Sequence, residues 1–251
     1  MEVLSLCSKL TKLFAILFAS LFLVGCGGGG GGGSSGNGGG NEVKFNTIAV
    51  GFSHSLALSN DGKVYATGDN NYGQLSLGNF NDRDTFIEVT DLSAKNIIAI
   101  SAGYGHSLAL FNDGKVYATG HNDEGQLGLG EYGGRRNAFT EISGLTGKNV
   151  TAIFAGGDNS FALSGDGKVY ATGRNYSGQL GLGDIIDRNT FEVISGLNGK
   201  NVTAIFTGGN HSFALSNDGK IYAAGSNYFG ELGLGEYGDR YVFTKVTVLS
   251  D

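Results

Sequence analysis

Residues 103–130 read GYGHSLALFNDGKVYATGHNDEGQLGLG, and nearly the same phrase occurs three more times. The other copies are GFSHSLALSNDGKVYATGDNNYGQLSLG from Gly51, GGDNSFALSGDGKVYATGRNYSGQLGLG from Gly156 and GGNHSFALSNDGKIYAAGSNYFGELGLG from Gly208. Successive copies begin 52, 53 and 52 residues apart. A fixed period of this size marks an array of one supersecondary unit. The single extra residue falls in the loop around 133–136, where a change of length costs little.

Within each copy the signals are for strands. His54-Ser55-Leu56-Ala57-Leu58 and Lys63-Val64-Tyr65-Ala66-Thr67 are short segments of alternating character. They flank Asn60-Asp61-Gly62, a hairpin turn whose glycine accepts the positive φ the turn demands. Two further strands are expected in each unit. One is the apolar stretch before the first glycine (46–50, 96–102, 149–155, 201–207), and the other follows the Gly-rich loop (86–90, 139–143, 191–194, 243–248). Four strands per unit and no helix-period stretch predict an all-β, propeller-like array of four-stranded blades. Four repeats leave an open arc, a small closed ring or part of a larger ring as solutions. An open arc would expose strand edges and invite self-association.

The shared phrase, G-x-x-H-S-x-A-L-x-x-x-G-x-V-Y-x-x-G-x-N-x-x-G-Q-L-G-L-G, resembles the repeat of the regulator of chromosome condensation superfamily and runs through residues 43–251. The resemblance implies a β-propeller and a role in binding other proteins. The superfamily's eukaryotic prototype promotes nucleotide exchange on a small GTPase. The chain departs from the pattern in two ways. Thr67, Thr119, Thr172 and Ala224 stand where an aromatic commonly precedes the second glycine, and there is no Trp. Members also typically close with about seven blades, against four units here.

The 251 residues are 40% hydrophobic and 11% aromatic, enough for a packed core. A net charge of −6, with 17 Lys and Arg against 23 Asp and Glu, provides no basic stripe for a phosphate backbone, so nucleic acid is not an expected partner. Both cysteines, Cys7 and Cys26, precede the repeats, which excludes a disulfide or thiolate metal site within them.

The N-terminal residues carry an address. Lys9 and Lys12 precede thirteen uncharged residues, Leu13 to Gly25, a run too short to span the bilayer comfortably as a helix. Leu23-Val24-Gly25-Cys26 resembles the lipobox of bacterial lipoproteins. That resemblance implies a signal peptide at 1–25, cleavage before Cys26 and lipidation of Cys26. More than one acyl chain there gives stable membrane anchoring. Residues 27–41, GGGGGGGSSGNGGGN, form a Gly/Ser-rich tether with a root-mean-square span of about 20 Å as a flexible coil. Residues 42–251 are the repeat domain. The expected location is the cell envelope, with the outer membrane favoured in a Gram-negative cell because Gly27 rather than Asp follows the cysteine.

His54, His106 and His211 share one repeat position, and the third unit has Asn159 there. A metal or acid–base role would not survive that replacement, whereas a hydrogen bond between neighbouring blades would. These four positions therefore read as structural. His121 lies in a loop slot held elsewhere by Asp69, Arg174 and Ser226, and is expected to be exposed. Asp61, Asp113, Asp166 and Asp218 fit turn chemistry. Asp82-Arg83, Asp187-Arg188 and Asp239-Arg240 read as pairs internal to their loops. The G-x-G-x-x-G matches at Gly128 and Gly233 do not open a helix after a strand and imply no dinucleotide site. No catalytic constellation stands out, and no cofactor or metal is expected.

Positions that differ between copies are free to carry recognition. Tyr72, Phe80, Tyr132, Tyr176, Ile185, Tyr228, Phe229 and Tyr237 are large apolar or aromatic residues in Gly-rich loops, and form the candidate partner-binding set. The expectation is an exported, lipid-tethered, non-enzymatic scaffold that binds a protein through these loops. A glycan- or peptidoglycan-binding module is the alternative if Tyr72, Tyr176 and Tyr228 form an exposed aromatic ring. An enzyme would have to use His121 with Asp123 and Glu124.

Overall fold

A computed structural model describes residues 42–92 and 96–247; Cys26 and the remaining residues of the signal and tether lie outside the described residues, as does the last residue expected of the final strand, Val248. Sixteen strands among the described residues form four antiparallel four-stranded sheets, each a meander in chain order. Sheet one holds β1 (Phe45–Val50), β2 (His54–Ser59), β3 (Val64–Gly68) and β4 (Arg83–Glu88). Sheet two holds β5 (Ile97–Ala102), β6 (His106–Phe111), β7 (Val116–His121) and β8 (Arg135–Glu141). Sheet three holds β9 (Val150–Gly156), β10 (Asn159–Ser164), β11 (Val169–Gly173) and β12 (Arg188–Val193). Sheet four holds β13 (Val202–Thr207), β14 (His211–Ser216), β15 (Ile221–Gly225) and β16 (Arg240–Lys245).

The hairpins fall where the turn residues place them. Leu58 pairs with Val64, Leu110 with Val116, Leu163 with Val169 and Leu215 with Ile221, so all four units share one register. Gly62, at φ +81°, has open space where a Cβ would be, so backbone conformation rather than crowding selects glycine there. The Ser59 hydroxyl donates to the Asp61 carboxylate at the same turn.

Sheets stack face to face in sequence, and one set of positions builds each junction. Leu56, Leu58, Val64 and Leu75 of sheet one meet Ile97, Ile100 and Ala109 of sheet two. Leu108, Leu110, Val116 and Leu127 meet Val150, Ile153 and Ala162. Phe161, Leu163, Val169 and Leu180 meet Val202, Ile205 and Ala214. Burying each of these Leu, Ile, Val and Phe side chains contributes about 1.5–3 kcal/mol. Short 3₁₀ turns at Thr90–Leu92, Ser143–Leu145 and Ser195–Leu197 follow the fourth strands of the first three sheets, each burying its leucine. The four sheets form an open arc, not a closed ring.

Two details differ from the sequence reading. The fourth strands begin at Arg83, Arg135, Arg188 and Arg240, three or four residues before the phenylalanines where apolar character begins. A register shift between Ala66 and Gly68 and its counterparts lets these polar residues join the ladder without apolar character to announce them. The second strands of the middle sheets, β6 and β10, are buried at all six positions rather than at alternate ones. A blade with neighbours on both faces has no solvent side.

Candidate functional site

In a meander, the first-to-second and third-to-fourth connections lie at one end of a sheet. The loops 51–53 and 69–82, with their equivalents in the other sheets, therefore gather at one end of the blades, and every candidate loop residue belongs to it. Each long loop is tied down by one fully buried asparagine. Asn122 Oδ1 accepts from Leu127 N–H at 3.1 Å while its Nδ2 donates to the Glu131 carbonyl at 3.0 Å, and Asn70, Asn175 and Asn227 do the same in their own loops. The following Gln or Glu accepts from the backbone two residues earlier, as Gln126 Oε1 does from Glu124 N–H. These anchors explain the repeated N-x-x-G-Q/E-L.

Asp82, Asp187 and Asp239 accept from the backbone N–H of Asn70, Asn175 and Asn227. Their arginine neighbours bond elsewhere within the loop or strand: Arg188 pairs with Asp184 and Glu192, and Arg240 with Glu236. Each Asp-Arg dipeptide is thus internal to its loop without the two side chains pairing with each other.

The shared histidine position sits between sheets. His54 Nε2 is 2.9 Å from Ser107 Oγ, and His106 Nε2 is 2.9 Å from Ser160 Oγ. Both serine hydroxyls spend their own proton on a carbonyl of the preceding sheet, Gln74 and Gln126. Each imidazole must therefore donate from Nε2, leaving Nδ1 buried, bare and unpartnered. Burial pushes both rings down to a pKa of about 4. Asn159 uses its amide differently, donating to the Arg174 carbonyl and accepting from Thr207 Oγ1. His211 makes an edge contact with Phe213.

His121 is mostly covered rather than exposed. The Tyr72 ring lies over it at 4.4 Å, Asp123 is 3.0 Å from Nε2, Asp158 is 3.7 Å from Nδ1, and Gln126 Nε2 is 2.8 Å from Nδ1. The nearby carboxylates of Asp158 and Asp123 raise its pKa against the opposing effect of burial. Burial also works to raise Asp158, but His121 and Arg174 hold that carboxyl below its ordinary value. Glu124 is raised by burial and by Asp187. No group of three metal-competent side chains occurs among the described residues.

The candidate loop residues separate into two groups. Several lean onto the next sheet: Phe80 lies under Arg135, Tyr132 donates to the Asp187 carbonyl, and Tyr176 lies under Arg174 and donates to Asn210. Those three rings nonetheless stay exposed, as do Ile185, Tyr228, Phe229 and Tyr237, which make no such reach to the next sheet among the described residues. Of Tyr72, Tyr176 and Tyr228, the first is half-buried against His121, while Tyr176 and Tyr228 are exposed.

Sequence reasoning passed over the stack of Phe52 on Tyr104, with ring centroids 4.7 Å apart, although both are exposed at this same end. The signal was present. The position after the first glycine reads Phe52, Tyr104, Gly157 and Gly209, varying between copies just as the chosen loops do.

The repeat pattern described as the regulator of chromosome condensation (RCC1) repeat matches residues 61–110, 113–163 and 166–215, and a second form of it matches 45–74, 97–126, 150–179 and 202–231. The chain belongs to this repeat family. Among its relatives, the ultraviolet-B receptor UVR8 of Arabidopsis thaliana is 31% identical over 82% of this chain and 47% of its own length. The probable E3 ubiquitin-protein ligase HERC6 of Homo sapiens is 35% identical over 74% of this chain and 19% of its own. Human WBSCR16 superposes with a TM-score of 0.75 at 28% identity, covering 82% of this chain and 54% of that one. Prp20p of Saccharomyces cerevisiae, at 22% identity and a TM-score of 0.72, shares the fold over 51% of its length. This RCC1-repeat chain thus spans about half or less of the relatives it matches.

Proposed function

We propose that this RCC1-repeat chain is an exported, membrane-tethered scaffold without catalytic chemistry that binds another protein through the loop end of its blades. The observation that carries the reading is the concentration of uncovered aromatic and aliphatic side chains there, with the Phe52–Tyr104 stack on the first two sheets and Ile185 and Ile186 on the third. Rigid aromatic groups on anchored loops are what protein interfaces use. The relatives lend support: Prp20p was studied for its binding to Gsp1p and histones, and a structure of it bound to Kap60 has been solved. The membrane address rests on the sequence, with the signal at 1–25, lipid on Cys26 and the tether at 27–41.

A photo-crosslinking residue placed in living cells at Tyr104 or Ile186 tests the binding face, with the opposite-end turn position Asp166 as control. A discrete protein adduct from the loop end alone is the expected outcome. Equal labelling from Asp166, or none from either loop position, would defeat the reading. For the anchor, Cys26→Ser is expected to move the protein from the membrane to the soluble fraction on ultracentrifugation, and continued sedimentation with membranes would refute lipidation.

A further inference from the structure

The two ends of the arc are the two halves of a junction that the molecule already builds three times. In every inner junction the leading sheet presents a front face and the following sheet a back face. The back-face isoleucines Ile100, Ile153 and Ile205 are 7%, 6% and 3% exposed, whereas their counterpart in sheet one, Ile48, is 51% exposed. The front-face residues Val64, Val116 and Val169 are all buried, but their counterpart in sheet four, Ile221, is 39% exposed, and Phe213 and Leu215 beside it are half-buried.

The match extends to plug and socket. The rings of Phe191 and Phe243 press onto Gly128 and Gly181 of the preceding sheet, leaving no room there for a Cβ. The corresponding ring at one end is Phe86, exposed and touching only Phe45 among the aromatic rings described. The corresponding socket at the other end is Gly233, whose nearest neighbour to a Cβ is Val246 at 3.9 Å, in a groove lined by Phe213, Leu215, Ile221 and Leu232.

The polar groups repeat the pattern. His54 and His106 bond to serines of the following sheet, and the unused counterparts are His211 in sheet four and Ser55 in sheet one. Thr119 and Thr172 donate toward Gly73 and Gly125 carbonyls of the preceding sheet as well as to their own sheet, while Thr67 reaches only Arg83 of its own. Tyr132 and Tyr176 bond to the next sheet through their hydroxyls, and their counterparts Tyr237 and Tyr228 stand exposed.

We infer that a second copy of this chain docks head to tail, its sheet one against the sheet four of the first, and that two such junctions close two arcs into one eight-bladed ring. Eight blades lie within the usual range for propellers, and a head-to-tail contact closes only if its rotation allows. The inference assigns Tyr228, Phe229 and Tyr237 to the neighbourhood of this junction. It leaves Tyr104 and Ile186 to the binding face, so either reading can fail without the other.

The test is the mass of the full chain in mild detergent by sedimentation velocity, for the wild type and for Ile48→Asp and Ile221→Asp. The wild type is expected at twice the chain mass, and each variant at half of that with an unaltered far-ultraviolet circular dichroism spectrum. Mixing the two variants should restore a two-copy species, because the intact front of one meets the intact back of the other. A third variant, Gly233→Trp, fills the socket and should also halve the mass. A monomeric wild type at every accessible concentration, a two-copy species indifferent to all three substitutions, or filaments of many copies would overturn the closed ring.

Discussion

His106 shows how a single side chain can be polar, conserved in position across repeats and yet chemically silent. Its Nε2 proton is spent on Ser160, its Nδ1 is sealed against Gly103, and burial holds it neutral. Its protonation is a stability term. With a folded pKa near 4 against about 6.5 when unfolded, the unfolded state binds more protons between those values, so stability is full above pH 6.5 and falls as pH drops toward 4. The loss by pH 4 is about 3 kcal/mol for His106, with His54 acting in the same sense. His121 runs the opposite way: its raised pKa adds stability that is present below pH 6.5 and lost as pH climbs through the folded value. Nuclear magnetic resonance titration should find His121 above the ordinary histidine range, and His54 and His106 far below it. Asp158→Asn should pull His121 back down; an unmoved titration would show that Asp158 does not hold the ring.

At the scale of the element, the long loops owe their shape to buried amides and their fit to glycines. Gly128, at φ +67°, receives the Phe191 ring, so both conformation and space select glycine. Sheet one has solved the same contact differently. Ser76 occupies the position at φ +56°, its hydroxyl bonds to Asp91, and the same carboxylate takes the Phe139 N–H. Phe139 is accordingly less buried than Phe191 or Phe243. Gly128→Ser lacks an Asp91 equivalent at its junction, where Gly144 stands in that place. We expect it to cost about 2–4 kcal/mol in urea unfolding, from left-handed strain and overpacking together. Adding Phe191→Ala should recover part of that cost, and strict additivity would exclude the clash. Strand and hairpin placement was legible because turn chemistry is local: Asn-Asp-Gly sets the register of β2 against β3 with no outside help. The early starts of β4, β8, β12 and β16 were not, because a bulge opposite a glycine carries no hydrophobic signature.

For the whole molecule, stability should follow the number of neighbours each sheet has, since a repeat array gains from nearest-neighbour contacts. Sheets two and three are packed on both faces, and sheets one and four on one. In the Ile221→Asp chain, hydrogen exchange should be slowest in β6 and β10 and faster in β2 and β14; uniform protection would mean that the four sheets open as one unit. The number of units, their strands, their turns and the likeness between them were legible in the chain alone, because period, alternation and turn residues are written locally and repeated. Tertiary structure alone decided that the sheets form an open arc. It also decided that His121 is covered, and that Phe52 and Tyr104 meet across a sheet junction. These facts depend on which face of one blade reaches its neighbour, and for sheets one and four on the outer neighbour they lack within the arc, which residues 52 apart in the chain cannot reveal.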